Sequence, residues 1–209
     1  MAPTVALIDL DAGNVRSVSN ALTHLGVEHV HARAPQDLEG ATHIILPGVG
    51  AYAAFMERLS TRGFVEALAR ATRENGAAFL GICVGLQVLG SRGLEFGETR
   101  GLDWVPGDCV RLDAAAASGL AVPHMGWSSV ALQRPDPLFD GLDDHATFYF
   151  VHSYHLRPAD PGAVLATVDY GERVTAAIGI GRVWAVQFHP EKSQHAGLRL
   201  LRNFMRVGA

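Results

Sequence analysis

The chain has 209 residues, 48% apolar and 18% charged, which is enough for one core of ordinary size. Its formal net charge of -4, with no basic cluster beyond a pair of residues, gives no electrostatic case for nucleic acid. No apolar stretch reaches the roughly 20 residues that span a bilayer, and the opening MAPTVALIDL lacks the positive n-region of a signal peptide.

Thr4 to Leu10 is an apolar run expected as a central strand. Asn14 is placed to cap a helix whose apolar positions, Val15, Val18, Leu22 and Leu25, recur at helical spacing, and Gly26 stops it. Val27 to His31 is a second strand, Pro35 opens a short helical turn, and Thr42 to Leu46 is a third strand that runs into Pro47-Gly48-Val49-Gly50. Helices are expected from about Ala51 to Leu59 and from Phe64 to Arg73, the second ended by Asn75-Gly76. A fourth strand, Ala77 to Leu80, leads into Gly81-Ile82-Cys83-Val84-Gly85 and the start of a helix over Val84 to Leu89. Uninterrupted apolar strands alternating with helices predict an α/β fold, its central and mostly parallel sheet covered by helices on both faces.

After Arg92 the texture changes. Strands are expected at Cys109–Leu112, 122–132, 147–156, 164–169, 174–180 and 182–188, with a turn or short helix at Asp136 to Phe139. This half reads as mixed or antiparallel β beside the parallel sheet. A closing helix, Ser193 to Val207, would carry Leu198, Leu201 and Met205 on one face. No repeat or linker divides the chain, so a single domain over 1–209 is expected. Cys83 and Cys109 are too few for a disulfide framework and suit a reducing, cytoplasmic setting.

The chemistry concentrates at Cys83. A strand that reverses directly into a helix forces a tight turn, often with positive φ at its apex, and glycines at minus two and plus two leave room for it. With serine in place of cysteine this is the nucleophile elbow, and a helix N-terminus favours the thiolate. A buried structural cysteine in a glycine-rich turn fits the same residues. A nucleophile needs a base and an orienter for that base, and His189-Pro190-Glu191 offers both. The proline keeps His189 in extended space, and extended geometry places residues 189 and 191 on one side. Pro47-Gly48-Val49-Gly50 follows the third strand at the same carboxyl edge, so its N–H groups are placed for an oxyanion, worth roughly 3–4 kcal/mol per donor. His29-x-His31 and His152-x-x-His155 lack the partners of a zinc site and read as solvated or core residues. Gly179-x-Gly181 lacks the context of a dinucleotide fingerprint and reads as a hairpin turn.

Together, Gly81-Ile82-Cys83-Val84-Gly85-Leu86-Gln87 and His189-Pro190-Glu191 resemble the class I glutamine amidotransferases. More narrowly, the chain resembles the glutaminase subunits of imidazole glycerol phosphate synthases, through Gly13-Asn14, LPGVG at 46–50, PHMGW at 123–127, YFVHSY at 149–154 and QFHPEKS at 187–193. The resemblance implies a flavodoxin-like sheet and a Cys83–His189–Glu191 triad that forms a glutamyl thioester and releases ammonia. It implies an oxyanion strand at Val49 and Gly50, a peptide of which must reorient. Gly50, Gln87, Ser153 and Tyr154 match glutamine-holding positions. Asn14, Trp127, Tyr149 and Lys192 match positions facing a (β/α)8-barrel synthase (cyclase) subunit, which uses the ammonia in histidine biosynthesis. No cofactor or metal is implied. The first loop departs from the family pattern, with Leu10-Asp11 where a tyrosine and a glycine are usual, which bears on docking and not on chemistry. Two other readings fit less of the chain. One is a glutaminase serving anthranilate, guanylate or pyridoxal phosphate synthesis, and the other is a non-catalytic subunit that stabilises a partner.

Overall fold

A computed structural model describes residues 4–11, 14–143 and 145–207. Of the first loop, Ala12 and Gly13 lie outside the described residues. The first half supplies strands β1 (Val5–Ile8), β2 (His29–Ala32), β3 (His43–Gly48) and β4 (Ala78–Cys83). They alternate with helices α1 (Val15–His24), α2 (Tyr52–Thr61) and α3 (Phe64–Ala69), the last widening into a π-helical turn at Arg70–Glu74. The elbow helix α4 (Val84–Gln87) is a single turn, shorter than the sequence suggested. The second half adds β5 (Arg92–Gly93), β6 (Thr99–Arg100), β7 (Gly107–Arg111), α5 (Asp113–Ala117), β8 (His124–Ser129) and β9 (Ala131–Leu132). After these come β10 (Thr147–His152), β11 (Tyr154–Pro158), β12 (Val164–Asp169), β13 (Arg173–Ile180), β14 (Val183–Val186) and α6 (Gln194–Phe204).

The main sheet runs β2-β1-β3-β4-β14-β13-β12-β9. Its first five strands are parallel and the remaining pairings antiparallel. β1, β3 and β4 are buried at every position, as expected of strands covered on both faces. Successive residues of a strand point to opposite faces. Phe204 of α6 meets His43 of β3 edge-on from one side, while Phe55 of α2 and Val84 of α4 crowd Gly48 from the other. The α/β expectation therefore holds, with helices on both faces. The buried apolar residues from Val5 to Val207 form one core cluster, whose removal from water is the main stabilising contribution.

Two expected strands are each divided between sheets. Val130 interrupts 122–132, so β8 pairs with β10 in a two-stranded ribbon while β9 joins β12 at the edge of the main sheet. Ser153 interrupts 147–156, and β11 crosses to a four-stranded sheet of order β11-β7-β5-β6. Alternating apolar residues mark a strand without naming its partner, and neither switch point carries a glycine or proline. The closing helix buries Leu201 and Met205 as expected but not Leu198. Its buried face is Gly197, Leu200, Leu201, Asn203 and Phe204, while Leu198 is only partly covered. A hairpin turn does join β13 and β14, but it is Gly181-Arg182; Gly179, expected in the turn, lies within β13 and pairs with Trp184. Among the described residues, no helix is long and apolar enough to cross a membrane.

Candidate active site

The elbow forms because the chain can approach itself closely there. Gly48 and Cys83 are paired at the carboxyl ends of β3 and β4. Cys83 takes φ 56° and ψ -108°, a strained conformation for a residue with a Cβ. A Cβ on Gly85 would lie 2.0 Å from the Leu46 carbonyl oxygen, and one on Gly81 would lie 2.4 Å from the Gly85 oxygen. Both flanking residues must be glycine for steric reasons, and their tight contacts hold Cys83 at the apex. Cys83 is buried except for the surface that it gives to a cleft of about 330 Å³.

His189 reaches the same cleft from the segment that leaves β14. Its backbone is extended, φ -103° and ψ 95°, as the following proline requires. Glu191 is not extended. It sits in the 3₁₀ turn Pro190–Lys192, and this turn, rather than strand alternation, brings Glu191 Oε1 to 2.7 Å from His189 Nδ1. The segment is tied to the ribbon: His189 N–H donates to the Tyr149 carbonyl at 2.9 Å, and the Ser193 hydroxyl donates to the His189 carbonyl at 2.6 Å. Phe188 stacks on Phe148 with ring centroids 4.0 Å apart.

The Glu191 side chain is wholly buried, and its Oε1 also accepts from the Asn14 side-chain amide. Because Nδ1–H of His189 is committed to the carboxylate, Nε2 is the nitrogen left to move a proton. Burial opposes the imidazolium, but the Cys83 sulfur and the Glu191 carboxylate outweigh it and raise His189 to about 9. Nε2 makes no hydrogen bond within the described residues, so its contact with Cys83 is proximity short of a formed bond. Catalytic contacts are often this loose before substrate arrives.

Val49, Gly50, Gln87, Ser153 and Tyr154, all singled out in the sequence, line the cleft with Cys83 and His189. Gly50 has φ +94°, and Val49 is half-exposed at the rim. Gln87 is buried and donates Nε2–H to the Tyr154 carbonyl at 2.8 Å. Ser153 and Tyr154 enter the cleft because the chain changes sheets between β10 and β11. Trp127, Tyr149 and Lys192 form a patch at its margin. The Trp127 and Tyr149 rings are 6.0 Å apart, and Lys192 Nζ lies 5.5 Å from the centre of the Tyr149 ring. Lys192 also lines the cleft, whereas Asn14 is engaged with Glu191.

Three further residues line or abut the cleft: Glu95, not named from the sequence, and His152 and Gln187, named only within longer stretches and given no place in the site. Glu95 lines the cleft and accepts the Tyr52 N–H at 2.7 Å. His152 lines it and donates Nδ1–H to the Tyr154 carbonyl at 2.9 Å, which leaves Nε2 to accept from His124 Nδ1 at 3.2 Å. Gln187, fully buried, sits between Gln87 and Cys83. The stretch QFHPEKS, which opens on Gln187, was the sequence signal for the last of these. A larger hollow of about 780 Å³ lies at the amino ends of β1 and β2 and holds no nucleophile. Ligands in such sheets bind at the carboxyl ends.

A family profile for class-I glutamine amidotransferases matches residues 6–207. The imidazole glycerol phosphate synthase subunit HisH of Syntrophotalea carbinolica is 44% identical over 203 residues, covering 96% of this chain and 98% of that protein. The protein of the same name from Caulobacter vibrioides is 44% identical over 208 residues, covering 97% of each. Among solved structures, a glutamine amidotransferase crystal structure gives a TM-score of 0.76 at 24% identity, covering 98% of both chains. PurLQS from Thermotoga maritima gives 0.74 at 19%, covering 99% of both. At these identities the two structures speak to the fold alone. The chain belongs to the class-I glutamine amidotransferase family.

Proposed function

We propose that this chain, as one domain over 1–209, is the glutaminase subunit of an imidazole glycerol phosphate synthase. It hydrolyses glutamine to glutamate and ammonia and passes the ammonia to a (β/α)8-barrel synthase subunit. The observation that carries the chemistry is the meeting of the strained Cys83 elbow with a His189 already oriented by a buried Glu191, in one cleft. The acceptor reaction rests on the near full-length relatives that bear that subunit's name.

In this reading Cys83 sulfur attacks the side-chain amide carbon of glutamine. The developing oxyanion is met by backbone N–H groups at Val49 and Gly50. His189 Nε2 gives its proton to the departing ammonia, then accepts one from the water that cleaves the thioester. Glu191 holds the ring throughout. The cleft also suits the rest of an amino-acid substrate. Among the described residues Glu95 is the lining carboxylate and is available to the α-ammonium, while Gln87, Ser153, Tyr154 and Gly50 supply polar contacts. Trp127, 48% exposed, with Tyr149 and Lys192, forms the face offered to the barrel. Asn14 connects that side of the molecule to the triad.

The test is glutamine hydrolysis by the chain alone and with the barrel subunit carrying its ribotide ligand. The expected result is slow turnover alone, strong stimulation in the complex, and none in either case for Cys83→Ala. Equal rates with and without the barrel would remove the coupling. Turnover by Cys83→Ala would remove the mechanism.

A further inference from the structure

Gln187 has no part in the mechanism above, yet it is fully buried and two residues from His189. Its side-chain amide lies between the nucleophile and the pocket amide of Gln87. Nε2 is 3.7 Å from Cys83 sulfur, and Oε1 is 3.3 Å from Gln87 Nε2. Which end of the amide faces which neighbour follows from the hydrogen bonds around it. The Tyr154 carbonyl is an obligate acceptor, so Gln87 must turn its NH₂ toward it, as the 2.8 Å contact records. The second hydrogen of that NH₂ then points at Gln187, which must answer with its oxygen. That leaves the NH₂ of Gln187, and no other part of it, facing sulfur. A flipped Gln187 would set NH₂ against NH₂ on one side and a carbonyl oxygen against sulfur on the other. The backbone of Gln187 is fixed as well, its N–H donating to the Ala176 carbonyl at 2.8 Å.

We propose that Gln187 is a positioning residue for the glutaminase reaction, donating an N–H to the Cys83 sulfur while its oxygen fixes the amide of Gln87. A donor facing sulfur favours the thiolate over the thiol, and the shared amide keeps the nucleophile in register with the pocket wall. This rests on the glutaminase reading for its purpose and on geometry alone for its effect on the thiol. Among the described residues, the titratable groups that share the cleft with Cys83 are His189, His152, Glu95, Tyr154 and Lys192, together with the buried Cys109. Any shift in thiol reactivity must therefore be read against variants that leave all six in place.

The test is the pH dependence of alkylation of the full-length chain by iodoacetamide, with the site of modification identified by peptide mass. Gln187→Glu keeps the shape and puts a carboxylate oxygen against sulfur. Gln187→Met keeps the volume and removes the donor, and it serves if the buried carboxylate prevents folding. The expected result is slower modification of Cys83 at neutral pH, by about tenfold in Gln187→Glu, with the midpoint of the profile moved up by about one unit. Gln187→Met should move it the same way by less. Unchanged Cys83 profiles in folded Gln187→Glu and Gln187→Met would overturn the proposal. Because alkylation needs neither glutamine nor partner, this outcome is separate from failure of the glutaminase reading, which would show as absent turnover with normal alkylation.

Discussion

Glu191 offers a single carboxylate oxygen to both the His189 ring and the Asn14 amide, so the orientation of the base depends on a residue 177 positions away in the chain. The charge on that carboxylate is one of the two influences that raise His189 to about 9 against the cost of burial. Glu191→Gln keeps the shape and removes the charge, so His189 should fall back toward its ordinary 6.5, as measured by NMR titration of the ring. A titration unchanged in that variant would show that Cys83 alone sets the value. Asn14→Ala should lower glutamine turnover by about tenfold through a less firmly held carboxylate, since hydrogen bonds to charged groups are worth about 1.5–3 kcal/mol. Unaltered turnover would make the contact incidental. At this scale the grouping of Cys83, His189 and Glu191 was legible from local spacing, because an elbow and a His-Pro-Glu run each announce themselves. Gln187 and Glu95 were not, because their roles depend on neighbours reached only after folding. The two side chains do meet, but through a 3₁₀ turn and not through the strand alternation that the spacing suggested.

The elements carry the site by close approach. α6 packs so tightly under the His-Pro-Glu turn that a Cβ on Gly197 would fall 1.8 Å from the Pro190 carbonyl oxygen. Gly197→Ala must displace the turn that carries His189 and Glu191. The expected cost is about 1–3 kcal/mol of stability, and glutamine turnover should fall further than that loss of folded protein explains. This is checked by urea unfolding alongside turnover at a temperature where the variant is fully folded. Full activity in a folded Gly197→Ala chain would mean that the turn is not held by α6. Apolar run length and helical spacing reproduced β1, β3, α1 and the first part of β4, which runs on to Cys83 beyond the expected Leu80. They did not reproduce the exchange of sheets at Ser153, where one residue separates two strands with different partners. That exchange is what puts Ser153 and Tyr154 into the cleft.

Across the whole molecule, buried histidines set opposite limits to stability on the two sides of neutrality. His189 binds its proton more tightly when folded, so the stability that it contributes is complete below about pH 6.5 and is lost as pH rises toward about 9. Burial has the reverse effect on His152, pushed to about 3, and on His124 and His155, both pushed to about 4. For these the unfolded chain takes up protons first, so stability falls as pH drops below about 6.5. Thermal midpoints across pH should therefore peak near neutrality, and Glu191→Gln should flatten the alkaline side. A profile rising steadily from neutral to alkaline pH would contradict this assignment. The central claim is narrower: Cys83 is the nucleophile for a glutamine bound in this cleft. It is tested most directly by mass analysis of the chain treated with a glutamine-shaped chloroketone in the presence of the barrel subunit. The account predicts one adduct, on Cys83, suppressed by added glutamine. Labelling confined to Cys109, or labelling of Cys83 that glutamine leaves unchanged, would contradict it.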